Sequence, residues 1–133
     1  MENKNTEDLA SLCELASILS KEELGEILST IIERHPYTVK DLAELMEVSM
    51  SAASRYVHGS LKPSSETLCK LVARLDPAAR STFRVKVLYS TWARFREALA
   101  SVTTAEVETL LEDIADTVSV ILARLHRTKR DTL

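Results

Sequence analysis

Apolar residues recur at intervals of three and four along almost the entire chain, the repeat of one helical face. Leu9, Leu12, Cys13, Ala16 and Leu19 form the first stripe, with Thr6 placed to cap it. Ser20 followed by Glu23 is a capping-box pair. It opens a helix with Leu24, Ile27, Leu28, Ile31 and Ile32 on its inner face. That helix ends at His35, because the residue before a proline, here Pro36, avoids the helical region. Thr38, with Asp41 at the matching offset, caps a short helix through Val39, Leu42, Ala43, Leu45 and Met46. Ser49 caps another over about residues 50–58, and Gly59 stops it. After a loop at 60–63, Ser64 or Ser65 caps a helix carrying Leu68, Leu71, Val72 and Leu75. Asp76-Pro77 ends that helix and starts the next, since proline suits a first turn.

Two longer stripes follow. One runs through Val85, Leu88, Trp92, Phe95, Leu99 and Val102, the other through Val107, Leu111, Ile114, Val118, Ile121 and Leu125. Both are heptad seams. Thr103 and Glu106 form a capping-box pair between them, which predicts a tight turn and a helical hairpin. Residues 127–133 are polar and are expected to fray.

Composition supports an all-α chain. Two Gly and three Pro in 133 residues are too few for a turn-rich sheet protein. An apolar content of 45% is enough for a packed core. There is no run of 18 apolar residues, and Met1-Glu2-Asn3-Lys4 leads into an acidic stretch with no apolar signal region. Cys13 and Cys69 stand apart from each other and from any histidine, and read as small core residues. These features together predict a cytoplasmic protein. The net charge of −3 conceals a polarity along the chain. Residues 1–49 carry four Lys/Arg against eleven Asp/Glu; residues 50–96 carry nine against two. A polyanion would meet that basic block if it lies on one surface.

The block overlaps a distinctive arrangement at residues 38–75. A short capped helix, a brief turn and a second short helix ending in glycine are the parts of a helix-turn-helix. Ala43 is small where the two helices must approach, and Val48 is apolar within the turn. Ala53, Tyr56 and Val57 supply an inner face for the second helix, leaving Met50, Ser51, Ser54, Arg55 and His58 to point outward. With Leu42-Ala43, Val48-Ser49, Ser54-Arg55, Gly59 and Lys62-Pro63-Ser64 followed by Thr67-Leu68, the chain resembles the λ-repressor/Cro-like (XRE-type) regulators over residues 21–76.

The resemblance implies a recognition helix at about 50–58 lying in the major groove of double-stranded DNA. Met50, Ser51 and Arg55 would read bases, Arg55 through guanine O6 and N7. Thr38, Lys40, Ser49, His58, Ser60, Lys62 and Ser64 would hold phosphates. Three positions depart from the family pattern: Val39 where glutamine is common, Glu47 where the turn often has glycine, and Val57 where glutamate is common. Alternatives stay open, with Arg55 as a surface ion-pair partner, His58 as a helix-end residue and Tyr56 as core.

The expected architecture is an N-terminal amphipathic helix (1–20), a helix-turn-helix DNA-binding domain of about five helices (21–76) and a long αα-hairpin (77–133). Leu110, Ala115 and Leu122 widen the last helix's stripe beyond one seam. A homodimer through Trp92, Phe95, Leu99, Leu111, Ile114, Val118, Ile121 and Leu125 would cover it; packing within the chain is the alternative. No nucleophile elbow, phosphate loop or metal-spaced cluster is present, so an enzyme, a metal and a cofactor are not expected. A sequence-specific transcriptional regulator is the leading expectation. An architectural DNA-binding protein and an antitoxin-like protein-interaction module are the alternatives.

Overall fold

The computed structural model describes residues 2–102 and 105–131, with side chains from residue 8 onward. Among these residues the fold is all-α. Its seven helices are α1 (Glu2–Ser17), α2 (Lys21–Arg34), α3 (Val39–Met46), α4 (Met50–Val57), α5 (Ser65–Arg74), α6 (Pro77–Ala100) and α7 (Ala105–Asp131). One compact unit runs as far as Phe95 and a second begins at Arg96.

Local chemistry sets most of the boundaries. The Ser20 hydroxyl accepts from the Glu23 N–H (3.1 Å) while the Glu23 carboxylate accepts from the Ser20 N–H (3.0 Å). Thr38 and Asp41 make the same reciprocal pair at the start of α3. Ser49 and Ser64 cap α4 and α5. Asp76 caps α6, accepting from the Ala79 N–H at 3.0 Å, with Pro77 in the first turn. Such caps satisfy N–H groups that a helix cannot pair internally, each contributing about 0.5–2 kcal/mol. One boundary differs from the sequence expectation. The first helix starts at Glu2, so Thr6 lies inside it rather than at its cap. No glycine or proline stands between residues 2 and 6 to interrupt the backbone. The expected Thr103–Glu106 cap falls partly outside the described residues.

The core of the first unit takes the predicted faces of α1 to α5. From α6 it takes Ala79, Phe83 and Val87 instead of the expected stripe, whose Val85 and Leu88 are 46% and 52% exposed, because α6 turns a different face to α2 and α5. Leu24, Ile27, Leu28 and Ile31 of α2 meet Leu42 and Met46 of α3, Leu68, Leu71 and Val72 of α5, and Phe83 of α6, all at most 1% exposed. Phe83 is the largest fully buried side chain; burial of a phenylalanine contributes about 1.5–3 kcal/mol. α1 packs on α5, and α4 packs on both α2 and α3. Cys13 of α1 and Cys69 of α5 are not isolated, as the sequence implied. Their Cα atoms are 5.2 Å apart and their sulfurs are at disulfide distance. Facing helices bring together residues 56 positions apart, so cysteine spacing does not argue for a reducing compartment.

α4 seats on α2 through the chain's two glycines. A Cβ placed on Gly25 would lie 2.8 Å from Gly59 Cα and N, and 3.0 Å from the Tyr56 carbonyl oxygen. These are backbone atoms and cannot rotate aside. The Ser29 hydroxyl adds a hydrogen bond to the Val57 carbonyl at 3.2 Å. In an exposed helix interior, Gly→Ala would gain about 1 kcal/mol of helix propensity. At Gly25 the backbone clash reverses the sign, and Gly25→Ala is expected to destabilise by about 1–3 kcal/mol. Urea unfolding measures this directly, and an increase in stability would contradict the close contact.

Candidate nucleic-acid interface

α3 and α4 are joined by Glu47, Val48 and Ser49, and each helix ends in the same way. At the end of α4, Gly59 adopts φ +73°, its N–H donates to Tyr56 O (3.1 Å), and Ser60 N–H donates to Arg55 O (3.0 Å). At the end of α3, Glu47 adopts φ +58°, its N–H donates to Glu44 O (3.2 Å), and Val48 N–H donates to Ala43 O (3.0 Å). Both are Schellman endings, which bond carbonyls that a helix end leaves open. Val48 packs partly buried against the core, the apolar contact this motif favours.

Glycine bears the left-handed backbone freely, but glutamate does so against its Cβ. Glu47 is held there by two cations of α5. Its carboxylate lies 2.8 Å from Lys70 Nζ and accepts from Arg74 Nη2 at 2.9 Å, while Arg74 Nη1 donates to the Leu45 carbonyl at 2.9 Å. Lys70, then Arg74, pulls the Glu47 carboxyl down to about 2, and Glu47 raises Lys70. The turn residue thus has no free negative charge to set against an approaching anion.

On α4, Ala53 and Tyr56 are buried, while Met50, Ser51 and Arg55 share the exposed side. Met50 is 54% exposed. Among the described residues the Arg55 guanidinium has no hydrogen bond or ion pair, and Lys40 and Lys62 likewise have no ion-pair partner. Tyr56 is a core residue at 8% exposure. His58 Nδ1 lies 2.6 Å from the Ser54 carbonyl oxygen, a donor geometry that closes the last turn, while Nε2 has no hydrogen bond among the described residues.

The hydroxyls of Thr38 and Ser49 accept from the backbone N–H groups of Asp41 and Ala52, keeping their own protons to donate. Ser64 Oγ accepts from Thr67 N–H and shares a 2.9 Å hydrogen bond with Thr67 Oγ1. Ser60 spends its proton on the Arg55 carbonyl at 3.2 Å. Thr38 and Lys40 stand at the start of α3, Ser49 at the start of α4, and His58, Ser60 and Lys62 between α4 and the Ser64 cap of α5.

The basic block does not survive as one free surface. Lys70 and Arg74 are committed to Glu47. Arg80 is turned back onto the end of α5, with Nε donating to Val72 O (2.9 Å) and Nη2 to Ala73 O and Leu75 O (3.0 Å each). Arg94 is bound to Glu23, joining α6 to the first turn of α2 and lowering that carboxyl. The Tyr37 hydroxyl donates to Asp76 Oδ2 (2.7 Å) and accepts from Asp76 N–H (3.1 Å), tying the α2–α3 link to the α5–α6 junction. The Arg80 contacts span five to eight residues across the α5–α6 junction; the other pairings join residues 23 or more apart and leave no local sequence signal.

In the helices beyond, Trp92 and Phe95 are 47% and 36% exposed, with ring centroids 6.2 Å apart. Leu111, Val118, Ile121 and Leu125 are each exposed by more than two fifths, while Leu99 and Ile114 are partly covered. α7 has no buried residue. No helix of the described residues is long and apolar enough to cross a membrane, and no group of three potential metal ligands occurs among them.

The lowered Glu47 carboxyl makes a signed prediction. Its attraction to Lys70 and Arg74 contributes stability above its unfolded value near 4.5, lost as pH falls through about 2. Wild type is therefore expected to lose more of its melting temperature between those pH values than Glu47→Gln does. The effect is modest because solvent and salt screen the pair, and parallel curves would rule the clamp out. No family model, curated protein or solved structure matches the chain.

Proposed function

We propose that this chain is a sequence-specific DNA-binding transcriptional regulator of the helix-turn-helix type, acting as a homodimer. In this reading α3, the 47–49 turn and α4 form the helix-turn-helix, and α4 enters the major groove. The observation that carries it is the exposed side of α4, where Arg55 stands without an ion-pair partner beside Met50 and Ser51, just past a serine-capped N-terminus. Arg55 supplies the bidentate donor suited to guanine, Ser51 a short donor or acceptor, and Met50 an apolar contact for a thymine methyl. Lys40 and Lys62, with the hydroxyls of Thr38, Ser49 and Ser64, serve the phosphates. His58 joins them through Nε2, whereas Ser60 acts mainly as an acceptor within the helix end.

The internal engagement of Lys70, Arg74 and Arg80 favours this reading over an architectural one. A protein that binds DNA with little base readout relies on a broad set of free cations, and here four members of the basic block, Arg94 included, are occupied. Dimerisation draws support from α7. Leu110 and Leu122 widen the stripe of Leu111, Val118, Ile121 and Leu125, and all six are exposed. A stable interface needs about 800 Å² from each partner, of which these six side chains would supply the apolar centre. Reading two half-sites about 34 Å apart calls for two copies of α4, which a second copy of the chain would supply.

Selection of bound fragments from random DNA is expected to return a palindromic consensus; no enrichment would refute base-specific recognition. Arg55→Ala is expected to relax preference at one base pair per half-site, a loss of about 1–3 kcal/mol in discrimination. Lys62→Ala should instead weaken binding evenly across sequences and lower the salt slope by about one. Sedimentation equilibrium checks the assembly, with Leu111→Glu/Ile121→Glu expected to shift a dimer to monomer. A wild-type monomer at micromolar concentration would overturn the dimer.

A further inference from the structure

The crease between α2 and α6, within the first unit, holds a cleft of about 400 Å³ lined by Arg34, Ser81, Thr82, Val85, Lys86 and Tyr89. That volume lies in the range of small-molecule sites, about 300–1,000 Å³. Arg34 and Lys86 both border it, and neither has an ion-pair partner among the described residues. Lys86 is partly buried, so its charge has lost some water without gaining a counter-ion. Thr82 is already engaged: its hydroxyl donates to the Ala78 carbonyl (3.3 Å) and lies 2.8 Å from His35 Nε2. Ser81 and Tyr89 keep their hydroxyls available.

The neighbouring clefts give the site a direction. On one side, Lys86 and Tyr89 are shared with a cleft that also holds Glu23 and Glu26. Glu23 is neutralised by Arg94, but Glu26 has no ion-pair partner among the described residues and would repel an anion. An anionic group is therefore favoured toward the Arg34 and Ser81 end. On another side, Val85 and Tyr89 are shared with an apolar groove that continues over Leu88 to Trp92. A cationic, hydroxyl-bearing cleft opening onto an apolar groove fits a ligand with the same two parts.

We propose that this cleft binds a small organic anion, a carboxylate or phosphate carried on an apolar body. The acidic group sits between Arg34 and Lys86, with Ser81 and Tyr89 as further donors. The apolar body lies along Val85 and Tyr89 toward Trp92. The site is independent of the DNA-binding reading, because it shares no residue with the exposed side of α4.

The test titrates the full chain with decanoate, octyl phosphate, inorganic phosphate and decanol, following the fluorescence of its one tryptophan, Trp92, alongside calorimetry. Saturable one-site binding is expected for decanoate, octyl phosphate or both, which separates the two acid chemistries. Inorganic phosphate should bind more weakly, since each buried methylene is worth about fourfold in affinity. Arg34→Gln and Lys86→Gln should each weaken binding about tenfold or more through loss of a charge-assisted contact. Arg34 is exposed and Lys86 partly so, both variants keep a polar side chain, and circular dichroism melting confirms the fold. Arg84→Gln, on α6 outside the cleft, should leave affinity unchanged. The proposal is overturned by no saturable binding of any probe, by decanol binding as tightly as decanoate, by inorganic phosphate matching octyl phosphate, or by Arg84→Gln weakening binding as much as the cleft variants.

Discussion

The backbone contact between Gly25 and Gly59 is the constraint on which the arrangement around α4 depends. It lets the end of α4 touch α2 with no side chain between them. Gly59 meets two demands at one position, the positive φ of the helix ending and the missing Cβ of the contact. With that end fixed, Ala53 and Tyr56 turn into the core, and the side of α4 bearing Met50, Ser51 and Arg55 turns out. A chain with only two glycines has placed them against each other.

The end of α3 solves the same geometric problem with different chemistry. Glu47 accepts a backbone conformation better suited to glycine, and its side chain gathers Lys70 and Arg74. Arg74 also reaches the Leu45 carbonyl, so one guanidinium serves both the open end of α3 and the turn residue. Electrostatic neutralisation and helix termination are thus one device. It leaves the positive charge around α4 to a few side chains, chiefly Arg55, Lys40 and Lys62, rather than to a general basic surface.

Much of the fold was legible because it is written locally. The Ser20–Glu23 and Thr38–Asp41 boxes, the Ser49 cap, the Gly59 stop and the Asp76-Pro77 junction act within four residues, and all appear where the spacing places them. The apolar stripes of α2, α3 and α5 are the core faces. Glu47 was legible as a residue standing where the turn often has glycine. Its partners were not, because Lys70 and Arg74 come from a helix more than 20 residues away. Contacts set by helix crossings, such as Gly25 with Gly59, Tyr37 with Asp76 and Cys13 with Cys69, leave no periodic trace. The outward side of α4 was legible from phase alone, but that Arg55 lacks an internal partner is known only once its neighbours are placed.

The Cys13–Cys69 pairing has a topological consequence. When oxidised, it closes a ring that contains α2, α3 and α4 entirely, with residues 56 positions apart in sequence joined at its ends. In the chain-entropy view such a ring lowers the freedom of the unfolded chain by about 4 kcal/mol at room temperature. A cut anywhere between the two cysteines would leave both fragments covalently joined, whereas in the reduced protein only packing would hold them. The segment carrying Arg55 lies inside that ring, so its tether to the rest of the chain would survive a break in the backbone on either side.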